Sequence, residues 1–301
     1  MTRRVKLSGG AAAAALSCLS AMKRIIFTLL VFLIGAAAFS QATLPARPSR
    51  VRLAPMPRDG VGNIGVVVPI LIYHSIRPYI STDTTGARRW IATPATLESE
   101  LSYLRVKGYS SVTFDALAAH IQDGAPLPER PIIISFDDDW QSQYENAVPL
   151  LHKYGFTATF FIWVRAVGRK HHMSWDEIRE LDVEGMEIGC HTLTHLILTK
   201  LKSEETLRRE IIAAKVLIEA HIGHRVTSLA WPFGQYDERI VRIARDAGFT
   251  SARSTWPGVF HTKDGLLSLT GLIRTESTAR LVDTLVRPEG ERGAAARGTG
   301  R

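Results

Sequence analysis

The chain has 301 residues, 46% hydrophobic and 22% charged, with 23 Gly and 14 Pro, a balance that excludes a disordered, collagen-like or coiled-coil protein. Its formal net charge of +8 is uneven, because residues 1–41 hold five basic and no acidic side chains and beyond them the excess falls to +3. That is too small for an electrostatic footprint on a polyanion, and no nucleic-acid partner is expected.

The charge belongs to a leader. Met22-Lys23-Arg24, the apolar run 25–38 and Phe39-Ser40-Gln41-Ala42 form the three regions of a secretory signal. A leader over residues 1–42 is therefore expected, with Met22 as the true start and a secreted or periplasmic domain. The apolar run is shorter than the ~20 residues of a membrane span, which leaves an uncleaved signal as the alternative mode of membrane attachment. Thr2-Arg3-Arg4 faintly resembles a twin-arginine signal, and Leu16-Ser17-Cys18 a lipoprotein cleavage site. Cys18 falls in the leader and Cys190 reads as a small buried hydrophobe, so the mature chain needs no disulfide, and a core of this size does not require one.

Residues 43–65, with four Pro and little apolar periodicity, read as a linker. A domain over 66–281 follows, in which one unit recurs: an amphipathic stretch, a Gly, a large apolar residue, then a short β-rich run. Lys107-Gly108-Tyr109, Tyr154-Gly155-Phe156, Glu184-Gly185-Met186 and Ala247-Gly248-Phe249 are its instances, each Gly suiting the left-handed position past a helix end. Helix starts are equally marked. Thr93-Pro94 gives a cap and a first-turn Pro ahead of Leu97, Leu101 and Leu104 on one face. Ser174 to Glu177 is a capping box, and Ser203 precedes two Glu. Pro149 requires a helix over 142–154 to be kinked or to begin late.

Strands are expected at 66–73, 132–136, 157–162, 186–189, 227–231 and 250–254. Several are apolar at consecutive positions, as when both faces are covered. The alternation predicts one α/β domain, a barrel of parallel strands. Residues 282–301, rich in Gly, Arg and Ala, read as a flexible tail.

In such folds ligands gather beyond the carboxyl ends of the strands. Four of those ends are chemically pointed. Asp137-Asp138-Asp139 closes a dry strand, and three carboxylates in a row repel unless a cation or a task offsets them; a solvated acidic loop is the alternative. His191-Thr192-Leu193-Thr194-His195 brings two imidazoles onto one ion if the segment coils into a helical turn, the alternative being a helix start with a capping Thr. Two His with one Asp from another strand end leave coordination positions open, as a catalytic divalent ion needs. Trp231-Pro232-Phe233-Gly234 is a turn whose N–H groups are able to face an oxyanion. His74, after the first strand, reads more readily as structural than catalytic.

Together these motifs resemble the polysaccharide deacetylases of carbohydrate esterase family four, the NodB-homology domain, and within it the branch acting on poly-N-acetylglucosamine. The resemblance covers residues 66–280 and rests on the order Ser-Phe-Asp-Asp, His-Thr-x-x-His, Pro-Phe-Gly. It implies a distorted (β/α)7 barrel, with Asp137 as general base and Asp138, His191 and His195 as ligands of a divalent metal ion, Zn2+ by expectation with Co2+, Ni2+ or Fe2+ accepted by the same set. The family usually places a Gly where Asp139 stands, an Arg that orients the base where Ala230 stands, and an acid in a late Leu-x-His that here reads Leu272-Ile273-Arg274. In the poly-N-acetylglucosamine branch the His of an early Tyr-His pair is the acid, which implies His74. Pro232 and Phe233 of the turn, with Trp140, Trp163 and Trp256, are candidates for holding sugar rings, core packing being the alternative for each Trp. The implied function is removal of N-acetyl groups from an amino-sugar polymer with release of acetate. The rivals are an O-acetyl esterase of the same fold, as on xylan, and a weakly active carbohydrate-binding accessory protein.

Overall fold

The computed structural model describes residues 65–274 and 278–286. The expected leader, the linker up to residue 64 and the tail beyond 286 lie outside the described residues. In chain order the strands are β1 (Gly65–Val67), β2 (Ile70–Tyr73), β3 (Ser75–Ile76), β4 (Ile91–Ala92), β5 (Ser110–Ser111), β6 (Pro131–Asp137), β7 (Thr159–Ile162), β8 (Glu187–Cys190), β9 (Ser228–Ala230), β10 (Ser251–Arg253), β11 (Phe260–Thr262) and β12 (Leu272–Ile273). The helices are α1 (Thr85–Arg88), α2 (Pro94–Val106), α3 (Phe114–Asp123), α4 (Val148–Tyr154), α5 (Trp175–Val183), α6 (Glu204–Arg208), α7 (Ala214–Ile222), α8 (Glu238–Asp246) and α9 (Thr278–Val286). The last of them continues to Val286, past the boundary of 281 expected for the domain.

One row of parallel strands organises the molecule, in the order β12-β2-β6-β7-β8-β9-β10, with β5 beside the start of β6. Leu269 bridges to Arg253 of β10, and four residues later Ile273 pairs with β2, so a single segment touches both ends of the row. The result is the curled sheet of a distorted barrel. Side chains alternate strictly along each strand. Ile132, Ile134 and Phe136 of β6, with Phe160 and Ile162 of β7, join Leu97, Leu101 and Leu104 of α2 in one core between sheet and helices. Their neighbours Ile133 and Phe161 join Ile70, Ala230 and Leu117 in a second, inner core. Burying such side chains on both faces, at about 1.5–3 kcal/mol each, explains the near-continuous apolar runs in the sequence.

The helix punctuation reads as expected. Thr93 caps α2, Ser174 and Glu177 form the reciprocal capping box of α5, and Ser203 caps α6. Gly108, Gly155, Gly185 and Gly248 all adopt positive φ. One expectation is corrected, and the late helix start that Pro149 requires is observed. The run 66–73 is two strands, because Pro69 lacks the N–H that would continue the ladder; β1 instead pairs antiparallel with β11. The stretch 142–154 is a π-helical turn, Gln143–Ala147, running into α4 with Pro149 in its first turn, where its missing N–H costs nothing.

Candidate active site

The carboxyl ends of β2, β6, β8 and β9 open onto a cavity of about 750 Å3, within the range of ligand sites. Asp137 is the last residue of β6 and is buried; Asp138 and Asp139 follow with left-handed φ of 73° and 42°. That reversal turns Asp138 toward the loop after β8. His191 and His195 meet it there, though not through a helical turn: Thr192 and His195 take φ of 68° and 56°, and the Thr192 hydroxyl accepts from the His195 N–H at 3.2 Å. Left-handed backbone at two non-glycine residues costs roughly 1–2 kcal/mol apiece, and it is what folds the two imidazoles back onto one point.

The meeting point has ligand geometry. His191 Nε2 lies 3.2 Å from His195 Nε2, and Asp138 Oδ1 lies 3.5 and 3.4 Å from them. A tetrahedral ion with bonds of 2.0–2.1 Å sets its ligand atoms about 3.3 Å apart. Asp138 Oδ1 is buried and without a hydrogen-bond partner, an uncompensated acceptor that a cation would satisfy. His191 Nδ1–H donates to the Ala230 carbonyl at 2.8 Å, which fixes the tautomer and leaves the Nε2 lone pair facing the site. Burial pushes His191 down to about 3 and His195 below its ordinary value, so both are neutral near pH 7, the form that ligates. Among the described residues, the set of three fits a divalent ion.

Asp137 stands beside this set with a different partner. Arg253, the last residue of β10 and fully buried, crosses the face of Phe161 at 5.1 Å and donates to Asp137 Oδ1. Gly189 leaves room for that ring, since a Cβ there would press into Phe161. Burial alone would raise the Asp137 carboxyl; Arg253, with His191 and His74, outweighs it and holds the group at about 2. Arg253 is the residue that sequence reasoning missed. Its register neighbour on β9 is Ala230, so the position where an Arg was looked for is empty of charge and the next strand supplies it. An Arg closing an inward-facing strand position opposite a carboxylate was the available signal.

His74 leaves β2 with its Nε2 at 3.8 Å from Asp137 Oδ2, the oxygen that Arg253 does not occupy. Its ring packs on Trp90 at 4.6 Å, and burial holds its pKa below the ordinary value. Arg274, which follows β12, is buried and bonded to Glu100, whose other oxygen accepts from Tyr73 at 2.5 Å; it ties β12 and α2 to β2 and takes no part in the cavity. Asp139 turns inward. Its Oδ1 accepts from the Trp163 N–H at 2.8 Å, His172 lies 3.3 Å from Oδ2, and burial raises it to about 7. The extra charge that an acid brings to this position is thus about halved near pH 7.

Of the residues expected to hold sugar, Trp140, stacked on His172 at 4.6 Å, and Phe233, 53% exposed and 4.9 Å from His195, line the cavity. Pro232 and Trp256 are not among its lining residues, the first buried and the second 64% exposed; Trp163 packs behind, against His172 and His195. Trp90 joins the lining instead.

Residues 124–252 match the family model for polysaccharide deacetylase. Over those residues the chain is similar to a polysaccharide deacetylase domain. It is 29% identical over 202 residues to the Bacillus subtilis (strain 168) protein YxkH, covering 67% of this chain and 69% of that one. It is 24% identical over 199 residues to the poly-beta-1,6-N-acetyl-D-glucosamine N-deacetylase of Staphylococcus aureus (strain MRSA252), covering 59% and 68%. The Streptococcus pyogenes deacetylase PplD, solved with acetate, shares this fold at a TM-score of 0.69 and 23% identity, over 74% of this chain and all of that chain.

Proposed function

We propose that the domain is a metal-dependent N-deacetylase of a polymer containing N-acetylglucosamine. The observation that carries this reading is the triangle of Asp138, His191 and His195, with ligand atoms 3.2–3.5 Å apart, beside a second carboxylate that ligates nothing. The resemblance to a poly-beta-1,6-N-acetyl-D-glucosamine N-deacetylase supports the substrate class.

When bound, a divalent ion supplies Lewis-acid polarisation of the acetyl carbonyl and a lowered pKa for the attacking water. Asp138, His191 and His195 would hold it; Zn2+ is the first choice, and Co2+, Ni2+ and Fe2+ suit the same donors. Asp137 takes the proton of the water through Oδ2, because Oδ1 is engaged by Arg253, which also keeps the carboxylate ionised. The leaving nitrogen needs one proton to depart as an amine. His74, facing Asp137 Oδ2, is placed to deliver it, and its low pKa means that it acts as a carrier of the proton released in the reaction rather than as a resident acid. This acid favours an amide over an ester, whose alkoxide leaves more readily. Trp90, Trp140 and Phe233 offer faces to the sugar rings.

Export through the leader that starts at Met22 belongs to the same proposal, tested by mass spectrometry of the native N-terminus. For the chemistry, N-acetylated glucosamine oligomers and O-acetylated xylan are assayed side by side before and after chelation. Acetate release from the first, abolished by chelator and restored by Zn2+ or Co2+, is the expected result; full activity after exhaustive metal removal refutes the metal, and a preference for xylan refutes the substrate.

A further inference from the structure

Two helices flank the site, and each contains a π-helical turn: Gln143–Ala147 leads into α4, and Arg209–Ala213 joins α6 to α7. A π turn packs an extra residue into the helix at an energetic cost, and it persists where a side chain is needed at a place an α-helix would not deliver it. Each of these turns buries one polar residue completely, Gln143 in the first and Glu210 in the second.

The two residues reach different halves of the site. Gln143 Nε2 donates to the His74 carbonyl at 3.0 Å and to the Asp137 carbonyl at 2.6 Å, so one amide spans the exits of β2 and β6. Around it, the Ser142 hydroxyl accepts from the Ile76 N–H at 3.1 Å and Asn146 donates to the Ile76 carbonyl at 2.8 Å. Glu210 accepts from the Thr194 N–H and from the Thr194 hydroxyl, each at 2.8 Å, while its own carbonyl accepts from the Leu193 N–H at 3.0 Å. Leu193 and Thr194 lie between the two imidazoles, in the loop whose left-handed residues are Thr192 and His195. Nothing that Glu210 touches is shared with Gln143.

We infer that the two π turns position the two halves of the site separately: Gln143 sets the placement of His74 against Asp137, and Glu210 sets the ligand geometry of His191 and His195. Both are positioning residues, acting through backbone that carries the working side chains. The inference rests on the metal-dependent reading above.

The test uses metal-free protein titrated with Co2+, followed by calorimetry and by the visible absorption of the bound ion, with steady-state kinetics measured at saturating Co2+. Glu210→Ala is expected to weaken Co2+ binding about 10- to 100-fold, as loss of a residue that orients ligands does, and to recover most of its kcat once saturated. Glu210→Gln, which keeps one accepting oxygen, falls between Glu210→Ala and the parent. Gln143→Ala is expected to lose about 10- to 100-fold in kcat, with KM and Co2+ affinity within about threefold of the parent. Thermal melts check folding, and Thr194→Val, which keeps side-chain shape and removes one tie, replaces Glu210→Ala if that variant does not fold, with a loss of about threefold expected. Parent-like Co2+ affinity in the Glu210 and Thr194 variants overturns the inference, as does a parallel loss of affinity and kcat in Gln143→Ala. A parent that binds no Co2+ refutes the metal-dependent reading instead.

Discussion

The two ends of the parallel sheet solve the same backbone problem with different residues. At the amino ends, where helices turn into strands, the left-handed positions are glycines: Gly108, Gly155, Gly185, Gly223 and Gly248 precede β5, β7, β8, β9 and β10. At the carboxyl ends, where strands turn into helices, Gly168 and Gly234 are joined by Asp138, Asp139, His171, Thr192, His195 and Phe233, which are all the non-glycine residues of positive φ among the described ones. Glycine suffices where only the path of the chain matters. Where the turn must also carry a carboxylate, an imidazole or an aromatic ring, the strain is accepted for the sake of the side chain.

Buried carboxyls repeat the contrast. Asp137 at the carboxyl end of β6, buried, is held at about 2, and Glu187 at the amino end of β8, half-buried with one carboxyl oxygen shut off from solvent, is raised to about 7. Burial raises both; the difference is Arg253, which Glu187 lacks. Glu187 instead accepts from the Phe114 N–H at 2.8 Å and the Thr159 hydroxyl at 2.6 Å, and these bonds leave its other oxygen without a partner. One end of the interior is built to keep a charge, the other to disfavour one.

The sharpest way to break this contrast is Arg253→Met. It strands a buried carboxylate, and urea denaturation should show a loss of about 3–5 kcal/mol, with activity falling as well. A loss under about 1 kcal/mol would mean that Asp137 does not depend on its partner. Glu187 is next. Its folded value lies above the ordinary carboxyl value near 4, so the native state binds more protons than the unfolded chain between about pH 4 and 7. The contribution of Glu187 to stability is therefore full below about pH 4 and declines as the pH rises toward 7, by about 3 kcal/mol in all. Asp139, also raised to about 7, contributes a slope of the same sign, so Glu187→Gln should remove about half of the dependence in melts taken across the range, and an unchanged slope would assign it elsewhere.

Much of this was legible in sequence because it depends on local pattern. Strand ends, glycine stops and the Thr93 and Ser174 caps follow from period and capping chemistry, which act over a few residues; comparing strand ends groups His191 and His195 with a carboxylate, and the resemblance to the family singles out Asp138. What was not legible depends on the registry of distant strands. Arg253 reaches Asp137 only because β10 lies across the barrel interior from β6; an Arg at the end of an inward-facing strand position hints at a buried partner, but nothing near residue 253 says which carboxylate it is. Likewise, HxxxH spacing pointed to a helical turn, whereas the observed turn is held by left-handed φ at Thr192 and His195, with buried support arriving from residue 210. Trp256 looked like a sugar platform by type, and its exposure outside the cavity is a matter of loop path alone.

The smallest expected effect is the most direct test of why the strain is kept. Gly155 and His171 are both exposed, with φ of 68° and 70°, and a Cβ at 155 would meet nothing within 4 Å. Gly155→Ala therefore isolates the backbone penalty and should cost about 1 kcal/mol in the melt, with kinetics unchanged. His171→Gly runs the opposite way: relief of the left-handed strain is offset in part by the greater freedom of glycine in the unfolded chain, for a net gain of about 0.5 kcal/mol. His171 lines the cavity, so its removal should raise KM severalfold while the protein becomes slightly more stable. If KM stays at the parent value, the strain at this position serves no binding purpose, and the contrast between the two ends of the sheet narrows to the residues that touch Asp137 and Asp138.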